Sequence, residues 1–317
     1  MRGASLVGLG GEHEIAPLGV GAWAWGAKRL WGYGKDYGPE DVAAAFRASL
    51  ENGVRLFDTA EIYGNGASER IIGGLLREGG FDGGPLIATK FAPLPYRLSA
   101  RSLLGALDGS LKRLGVEAVD LYQIHFPSPF LKVKSLMDAL AETLQEGKVV
   151  SVGVSNYDAE GMRRAHERLR GHGIPLASNQ VRYSLLDRAP ETNGVLDACR
   201  DLGAMLIAYS PLAQGLLTGK YAPGAKPTGL VRRFNRSFGD ANLRKISPIL
   251  EALRRIGGAH DKKPSQVALN WLISQQGVLA IPGAKNGRQA RENAGALGWS
   301  LVPEEVGELD GLARDRR

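Results

Sequence analysis

The sequence predicts an α/β fold, a (β/α)8 TIM barrel with its active site at the C-terminal face of the strands. Short apolar, β-branched runs alternate with longer amphipathic stretches, which is typical of a parallel sheet with helical crossovers. Eight such runs lie mostly about thirty residues apart, which favours a closed barrel over an open sheet. They cover residues 18–22, 54–57, 85–89, 119–124, 149–154, 176–181, 204–209 and 278–281.

The segments between these runs are predicted to be helices. In residues 39–50, Val42, Phe46 and Leu50 share one face, and Gly53 lies just past the end. Pro264 fits the first turn of another helix. The remaining helical segments are residues 99–114, 135–146, 158–169, 191–202, 264–276, 288–297 and 303–313, and two helices follow the long loop before the eighth strand.

No domain boundary stands out in the 317 residues, so we expect a single domain, residues 1–317. The one large departure from the repeat is residues 212–243, a long loop rich in Gly, Pro and Arg. A loop of this length in a compact domain is usually functional or mobile.

Composition and charge exclude several classes of protein. The net charge of +7 is scattered, which does not favour nucleic-acid binding. Cys199 is the only cysteine, so an internal disulfide is impossible and a reducing compartment is expected. The sequence has no signal-peptide core and no apolar run long enough to cross a bilayer. We therefore predict a cytoplasmic protein that binds neither membranes nor nucleic acid and is a monomer or weak homo-oligomer.

Several familiar site motifs are absent. No GxGxxG follows a strand, so a Rossmann dinucleotide site is not supported. Residues 215–220, GLLTGK, resemble a P-loop, but the spacing is one residue short and Tyr221 replaces the required Ser or Thr. The histidines form no HxH or HExxH pair, and no GxSxG is present, so neither a metal site nor a serine nucleophile is predicted.

The second, third and fourth strands end in Asp58, Lys90 and His125, and Tyr63 follows the second strand. In a barrel these side chains converge on one face. A lysine ammonium beside a phenol would lower the pKa of the phenol, and a carboxylate would hold the lysine in place. A histidine could orient a carbonyl oxygen. The set describes a proton donor for a carbonyl that is being reduced.

Strands five to eight end in residues suited to a nucleotide. Ser155, Asn156 and Gln180 suit a carboxamide, and Tyr209 suits stacking on a flat heterocycle. Backbone amides and a lysine at residues 283–285 suit a phosphate. Each of these residues alone is more often structural: an Asp–Lys pair is usually an ion pair, and Asn156 could cap a helix. Their joint position at the strand ends favours function.

These same residues resemble the signature blocks of the aldo/keto reductases, and in particular the bacterial and plant-plastid branch that includes pyridoxal reductase-like members. The blocks are residues 57–64 (FDTAEIYG), 88–90 (ATK), 120–125 (DLYQIH), 153–156 (GVSN), 179–180 (NQ), 208–212 (AYSPL) and 281–285 (IPGAK).

The resemblance implies metal-independent reduction of an aldehyde or ketone by NADPH, in preference to NADH. Tyr63 would donate the proton, Asp58 and Lys90 would tune it, and His125 would orient the carbonyl. Many relatives carry Arg where this chain has Gln289, so the preference for NADPH would rest on Lys285. The residues implied to bind the cofactor are Gly21, Ala22, Trp23, Asp58, Ser155, Asn156, Gln180, Tyr209, Ser210, Pro211, Leu212, Gln214, Gly215, Gly283, Lys285, Gln289, Glu292 and Asn293.

The expected substrate pocket is an aromatic wall that suits a flat or apolar small-molecule carbonyl. It would consist of Trp23, Trp25, Phe91, Tyr96, Phe126 and Phe130. The basic loop with Arg232, Arg233 and Arg236 is either a solvated insertion or a flap that orders over the cofactor phosphates.

Two other functions remain open at this stage. One is a non-catalytic NADPH-binding regulatory subunit that resembles potassium-channel β subunits. Those subunits carry Asn at the position of His125, which favours an enzyme here. The other is a barrel lyase or isomerase that uses Lys90 as a Schiff base, but it leaves Gln180 and Tyr209 without a role.

Overall fold

The computed structural model describes residues 7–8, 14–81, 84–224 and 235–314. A two-stranded antiparallel hairpin, β1 (Val7–Gly8) and β2 (Glu14–Ile15), precedes eight parallel strands, and the sequence did not predict this hairpin. The parallel strands confirm all eight predicted runs within about two residues at each end. They are β3 Gly19–Gly21, β4 Leu56–Asp58, β5 Leu86–Phe91, β6 Val119–Ile124, β7 Val149–Ser155, β8 Ser178–Arg182, β9 Met205–Tyr209 and β10 Val278–Ile281.

The sheet closes into a barrel where β10 meets β3. The strands lie in chain order from β3 to β10. The Ala280 amide donates to the Pro17 carbonyl at 3.0 Å, and the Gly21 amide donates to the Pro282 carbonyl at 3.0 Å. A Cβ atom on Gly21 would lie 2.9 Å from the Ile281 carbonyl oxygen, so glycine permits this close approach. The predicted (β/α)8 barrel is confirmed.

Helices connect the strands on the outside of the barrel. The predicted helix 191–202 is two helices, Ala189–Thr192 and Val195–Leu202, which Gly194 separates with a φ of 79°. The helix Ala67–Glu78 was not predicted from the sequence. In the described part of the chain the helices are α1 Lys28–Trp31, α2 Pro39–Glu51, α3 Ala67–Glu78, α4 Ser102–Leu114, α5 Val133–Gln145, α6 Ala159–Arg170, α7 Ala189–Thr192, α8 Val195–Leu202, α9 Asp240–Lys245, α10 Ser247–Ala259, α11 Pro264–Ile273, α12 Gly287–Ala294 and α13 Pro303–Arg314.

The strands contribute side chains to two apolar cores, one on the outer face of the barrel and one inside it. The larger lies between the barrel and its helices, and the smaller fills the barrel interior with side chains such as Leu121, Ile207 and Leu279. Ile15 from the hairpin belongs to this inner core. Further along the strands the interior becomes polar, with Asp58 and Lys90 almost fully buried. Alternation along each strand therefore places polar side chains above an apolar layer, at the C-terminal mouth.

None of the helices in the described ranges combines the length and the hydrophobicity that crossing a bilayer requires.

Candidate active site

A buried ion pair lies at the C-terminal ends of β4 and β5. The Lys90 Nζ atom is 2.5 Å from Oδ1 of Asp58 and 2.8 Å from the Thr59 carbonyl oxygen. Lys90 is fully buried and Asp58 is 2% exposed. Because two buried charges are stable only when both are paired and hydrogen-bonded, these contacts fix both side chains.

The second carboxylate oxygen of Asp58 accepts from two amides inside the barrel. Nε2 of Gln180 lies at 2.8 Å and Nε2 of Gln123 at 3.4 Å. The sequence suggested a nicotinamide carboxamide as the partner of Gln180, but in this structure its amide group donates to Asp58. Gln123 was not identified from the sequence, although a glutamine inside an apolar strand, two residues before His125, is the signal that could have identified it.

Room for this polar layer comes from Gly153 on β7. A Cβ atom there would collide with Oγ of Ser178 and lie 3.3 Å from Cγ of Gln123. Ser178 also donates to Oε1 of Gln123 at 3.5 Å. The interior below the mouth is therefore filled by hydrogen-bonded side chains.

Tyr63 and His125 complete the set predicted from the strand ends. The Lys90 Nζ atom is 5.2 Å from the centroid of the Tyr63 ring. The Tyr63 and His125 rings lie 5.6 Å apart, edge to face. The structure thus brings Asp58, Tyr63, Lys90 and His125 together at one point of the mouth.

The electrostatics of Tyr63 differ from the expectation. Burial, followed by the charges of Asp58 and Tyr209, raises the pKa of Tyr63 well above its usual value. We expected Lys90 to lower it. Burial lowers the pKa of Lys90 itself, and the neighbouring Asp58 carboxylate opposes that shift. Desolvation, and after it the charges of Asp58 and Tyr209, therefore hold the phenol in its protonated form.

His125 is held in its neutral form. Burial, and then the charge of Lys90, lowers the pKa of His125 to about 3. Its Nδ1 atom is buried and has no hydrogen-bond partner within the described ranges. A proton on Nδ1 would therefore be unsatisfied, which favours the tautomer with the proton on Nε2. A neutral imidazole of this kind donates one hydrogen bond.

The ends of β7 to β9 form a second network beside this set. The hydroxyl of Tyr209 donates to Oδ1 of Asn156 at 3.1 Å, and Nδ2 of Asn156 donates to the His125 carbonyl at 3.1 Å. Ser155 donates from its hydroxyl to the Gln180 carbonyl at 2.8 Å. These bonds fix the half-exposed ring of Tyr209 at the barrel rim.

The chain after β9 contains a run of left-handed residues. Ser210, Ala213, Gln214 and Gly215 have φ values of 52°, 47°, 57° and 100°. Non-glycine residues in this region are strained, and such strain is concentrated at ligand sites. The Ala213 and Gly215 amides donate to the Ser210 and Leu212 carbonyls, both at 2.8 Å, and turns of this kind can direct the other backbone amides into a concave surface suited to an anion. Pro211 is buried and Leu212 is partly buried beside this run.

Lys220 lies next to the same run and was not predicted. A Cβ atom on Gly215 would lie 3.8 Å from the Lys220 Nζ atom. The sequence did contain the signal, because Lys220 closes the GLLTGK segment that lacks the full P-loop spacing. The P-loop interpretation remains excluded, since this segment does not join a strand to a long helix.

Several of the predicted cofactor residues lie in or after the turn between β10 and α12, where their side chains form hydrogen bonds within the protein. Lys285 donates from Nζ to the Trp31 carbonyl at 2.7 Å and lies 4.3 Å from the centroid of the Tyr37 ring. Gln289 accepts from the Lys285 amide at 2.9 Å. Both carboxylate oxygens of Glu292 are engaged, one by Lys263 at 2.7 Å and one by Ser265 at 2.9 Å.

Asn293 donates to the Gly283 carbonyl at 3.3 Å and so closes this turn. At the end of β3, Gly21 and Ala22 lie opposite it across the barrel seam, with Ala22 fully buried. The side chain of Trp23, in contrast, is partly exposed above them.

The structure places the six residues of the predicted aromatic wall at different depths. Trp23 lies at the mouth, with its ring 6.4 Å from that of Tyr63, and Phe126 packs against His125 at 5.6 Å. Tyr96 and Phe130 are exposed, 73% and 60%. Two other members of the wall are fully buried in the core between the barrel and its helices, and we withdraw them from the substrate pocket: Trp25 and Phe91.

Part of the predicted long loop, including Arg232 and Arg233, lies outside the described residues. On either side of the gap the chain is anchored. The Gly224 amide donates to Asp240 at 2.9 Å, and Asn235 donates to the Gln214 side chain at 3.1 Å. Arg236 belongs to a short 3-10 turn directly after Asn235. In the described ranges, no group of His, Cys, Asp or Glu residues is arranged to hold a metal ion.

The fold is a (β/α)8 barrel with a buried polar layer at the C-terminal mouth of its strands. The profile of the aldo/keto reductase family matches residues 17–314, and the chain belongs to this family.

Comparison with known proteins agrees with this assignment. The chain is 38% identical over 316 residues to chloroplastic pyridoxal reductase of Arabidopsis thaliana, covering 96% of this chain and 85% of that protein. The structure resembles the glycerol dehydrogenase of Gluconobacter oxydans with a TM-score of 0.87 and 28% identity, covering 100% and 97% of the two chains. It also resembles an aldo-keto reductase from Klebsiella pneumoniae in complex with NADPH, with a TM-score of 0.77 and 26% identity, covering 98% and 95%.

Proposed function

We propose that the protein reduces an aldehyde or ketone to an alcohol with NADPH, and that Tyr63 donates the proton. The observation that carries the proposal is the meeting of Tyr63, His125, Lys90 and Asp58 at one point of the mouth. Each comes from a different strand end or loop, so their proximity results from the fold.

The residues opposite this set fit NADPH. The left-handed run from Ser210 to Gly215 offers backbone amides and Lys220 to a pyrophosphate, and the rim-fixed Tyr209 offers a ring for stacking. NADPH bound here would supply the hydride. That a related reductase from Klebsiella pneumoniae was solved with NADPH supports the same choice of cofactor.

The protein side chains would hold the carbonyl and manage the proton. Neutral His125 would donate a hydrogen bond from Nε2 to the carbonyl oxygen and orient it. The Tyr63 phenol would then transfer its proton to that oxygen. An alkoxide is far more basic than a phenolate, so a phenol with a raised pKa still gives up its proton, while Lys90 stabilises the phenolate that remains.

The other predicted cofactor contacts form part of this proposal. We place Gly21, Ala22 and Trp23 at the nicotinamide end, with Ser155, Asn156 and Gln180 at its carboxamide. Gln180 would have to share its amide between Asp58 and the cofactor. The adenosine end would lie against the β10–α12 turn, which consists of Gly283, Lys285, Gln289, Glu292 and Asn293.

We also propose that residues 212–243 lie over the cofactor cleft of a single domain. The bond from Asn235 to Gln214 supports this, because it joins the far end of the loop to the pyrophosphate path. Protection of this loop from proteolysis by NADPH would support the flap, and equal cleavage with and without NADPH would contradict it. A cytoplasmic location and a monomer or weak homo-oligomer remain predictions from the sequence.

The two alternative functions are less well supported. The relatives named above are reductases and a dehydrogenase, which gives no support to a non-catalytic channel subunit. A Schiff base at Lys90 would require an amine that is available to a carbonyl carbon. In this structure that amine is fully buried and donates to Asp58 and Thr59.

The test is NADPH oxidation with a panel of aromatic aldehydes, quinones, pyridoxal and sugars. Pyridoxal belongs in the panel because of the relative from Arabidopsis thaliana. Tyr63→Phe should lower kcat by about a thousandfold or more, because it removes the proton donor, while NADPH binding stays within about twofold.

The matched control is Tyr122→Phe. Tyr122 is fully buried on β6, but its hydroxyl faces the helices and donates to the Leu103 carbonyl at 3.5 Å. This variant should retain wild-type turnover. Undiminished turnover by Tyr63→Phe would refute Tyr63 as the donor.

A further inference from the structure

A bidentate ion pair joins the loop that carries Tyr63 to the loop after β5, and the chemistry described so far does not use it. Arg97 donates from Nη1 to Oε1 of Glu61 at 2.5 Å and from Nη2 to Oε2 at 2.8 Å. The side chains are 15% and 8% exposed. An arginine–carboxylate fork of this geometry is strong and directional, and lysine cannot reproduce it.

The pair also binds the backbone where β5 ends. The Ala92 amide donates to Oε1 of Glu61 at 2.7 Å, and the Ala92 carbonyl accepts from Nη1 of Arg97 at 2.8 Å. The Arg97 guanidinium lies 4.7 Å from the centroid of the Phe91 ring. Ala92 is two residues after Lys90, so the ion pair fixes the chain that follows the buried lysine.

Two separate loops meet in this pair. Glu61 lies on the loop after β4, two residues before Tyr63. Arg97 lies on the loop after β5, between Tyr96 and Leu98, which are 73% and 80% exposed. The loop of Arg97 turns back on itself, since the Leu94 amide donates to the Ala92 carbonyl and the Arg97 amide donates to the Leu94 carbonyl.

Exposed apolar side chains in such a position need an explanation. Tyr96 and Leu98 flank a residue that is anchored on both sides by hydrogen bonds, so they are held at the surface by the geometry of the loop. The bond to Glu61 raises the pKa of Arg97, which is consistent with a charge held permanently in this place.

We propose that Glu61 and Arg97 form a clamp that positions the loop of Tyr63, and that Tyr96 and Leu98, on the second loop held by the clamp, form an apolar lip for the substrate. The lip selects carbonyl substrates that carry a flat or apolar group beyond the carbonyl carbon, over small polar aldehydes. This inference rests on the proposed function, because it concerns the substrate of the same site. Glu61 and Arg97 are positioning residues, since they act through Tyr63 and the lip.

The experiment compares kcat and KM for 2-naphthaldehyde and glyceraldehyde at saturating NADPH. Glu61→Gln and Arg97→Lys should lower kcat for both aldehydes by about tenfold to a hundredfold, because a displacement of the proton donor by about 1 Å has effects of this size. They should also raise KM for 2-naphthaldehyde and leave KM for glyceraldehyde within about twofold, because only the larger substrate reaches the lip.

The lip is tested separately, by Tyr96→Ala and Leu98→Ala. Both side chains are exposed, so these changes do not threaten the fold. Each should raise KM for 2-naphthaldehyde by about fivefold to tenfold through lost apolar contact, and so shift the ratio of kcat/KM between the two aldehydes toward glyceraldehyde. A merely structural role of the loop would not alter the ratio between the two aldehydes.

Arg47→Lys is the matched control for the clamp. Arg47 pairs with Glu78 between α2 and α3, and both side chains are about half exposed. It should leave both reactions unchanged. Unchanged kcat and KM in Arg97→Lys, or an unchanged ratio in the lip variants, would overturn the clamp while leaving carbonyl reduction intact. A wild-type protein that oxidises NADPH with no carbonyl in the wider panel would instead overturn the proposed function, and the clamp with it.

Discussion

The two halves of the barrel mouth are built differently. On the side of β4 to β6, Asp58 and Lys90 are almost fully buried and bonded to each other, to Thr59 and to Gln180. On the side of β7 to β10, Tyr209 is partly exposed, and Ser210, Ala213, Gln214 and Gly215 have left-handed backbone angles. In the first half the charged side chains are hydrogen-bonded within the protein, whereas the second half has a partly exposed rim with a strained backbone.

This difference matches the two tasks that we propose for them. A group that moves a proton must keep its position and its charge environment, which burial and mutual hydrogen bonding provide. A surface that receives and releases a large ligand needs accessible amides and rings. The catalytic half should therefore contribute to stability as well as turnover, whereas the rim should contribute mainly to cofactor affinity.

The largest expected effect is that of Lys90→Met on the buried half. The change leaves the Asp58 carboxylate buried without its cation, which costs about 3–5 kcal/mol of unfolding free energy in comparable cases. Turnover should fall below detection, because Tyr63 also loses the charge that stabilises its phenolate. Urea unfolding and NADPH oxidation measure the two losses.

Asp58→Asn combined with Lys90→Met separates the two losses. Removing both charges should restore most of the lost stability, since no unpaired charge remains in the barrel, but it should not restore turnover. If Lys90→Met alone has wild-type stability, the ion pair contributes nothing to the fold. The proposed difference in stability between the two halves of the mouth would then be wrong.

A smaller effect is expected on the rim. Tyr209→Ala should weaken NADPH binding by about tenfold, because an aromatic stacking surface of about 1–1.5 kcal/mol is lost. Tyr209→Phe should weaken it by less than threefold, since only the bond to Asn156 is removed. Isothermal titration gives both values, and unfolding free energies should stay within about 0.5 kcal/mol of wild type. Tight binding by the alanine variant would exclude stacking.

Much of this comparison could be predicted from the sequence. The alternation of apolar runs and amphipathic segments predicted the barrel, and in a barrel the inward-facing side chains at the C-terminal strand ends converge on one mouth. Asp58, Lys90 and His125 follow directly from that rule. The long loop 212–243 interrupts the period and could be located in the same way.

Contacts that do not follow from the strand ends could not be predicted. Trp25 looks like a mouth residue beside Trp23, but its Nε1 donates to the Ala284 carbonyl and its ring packs in the core. The pairing of Glu61 with Arg97 joins residues 36 positions apart on two loops, and no local pattern indicates it. The raised pKa of Tyr63 depends on burial and on the net effect of several charges, which only the structure provides.

The last expected effect concerns His125 and pH. Burial and Lys90 lower the pKa of His125 from 6.5 to about 3, so between these values the unfolded chain binds a proton that the folded protein does not. Stability is therefore fully present above pH 6.5 and is lost as the pH falls toward 3, by at most about 1.4 kcal/mol per pH unit. His125→Asn lacks this loss, so the stability of the wild type relative to the variant should decrease on acidification. Urea unfolding of both proteins at pH 7, 6 and 5 measures it, and a constant difference would show that His125 is not held neutral by the fold.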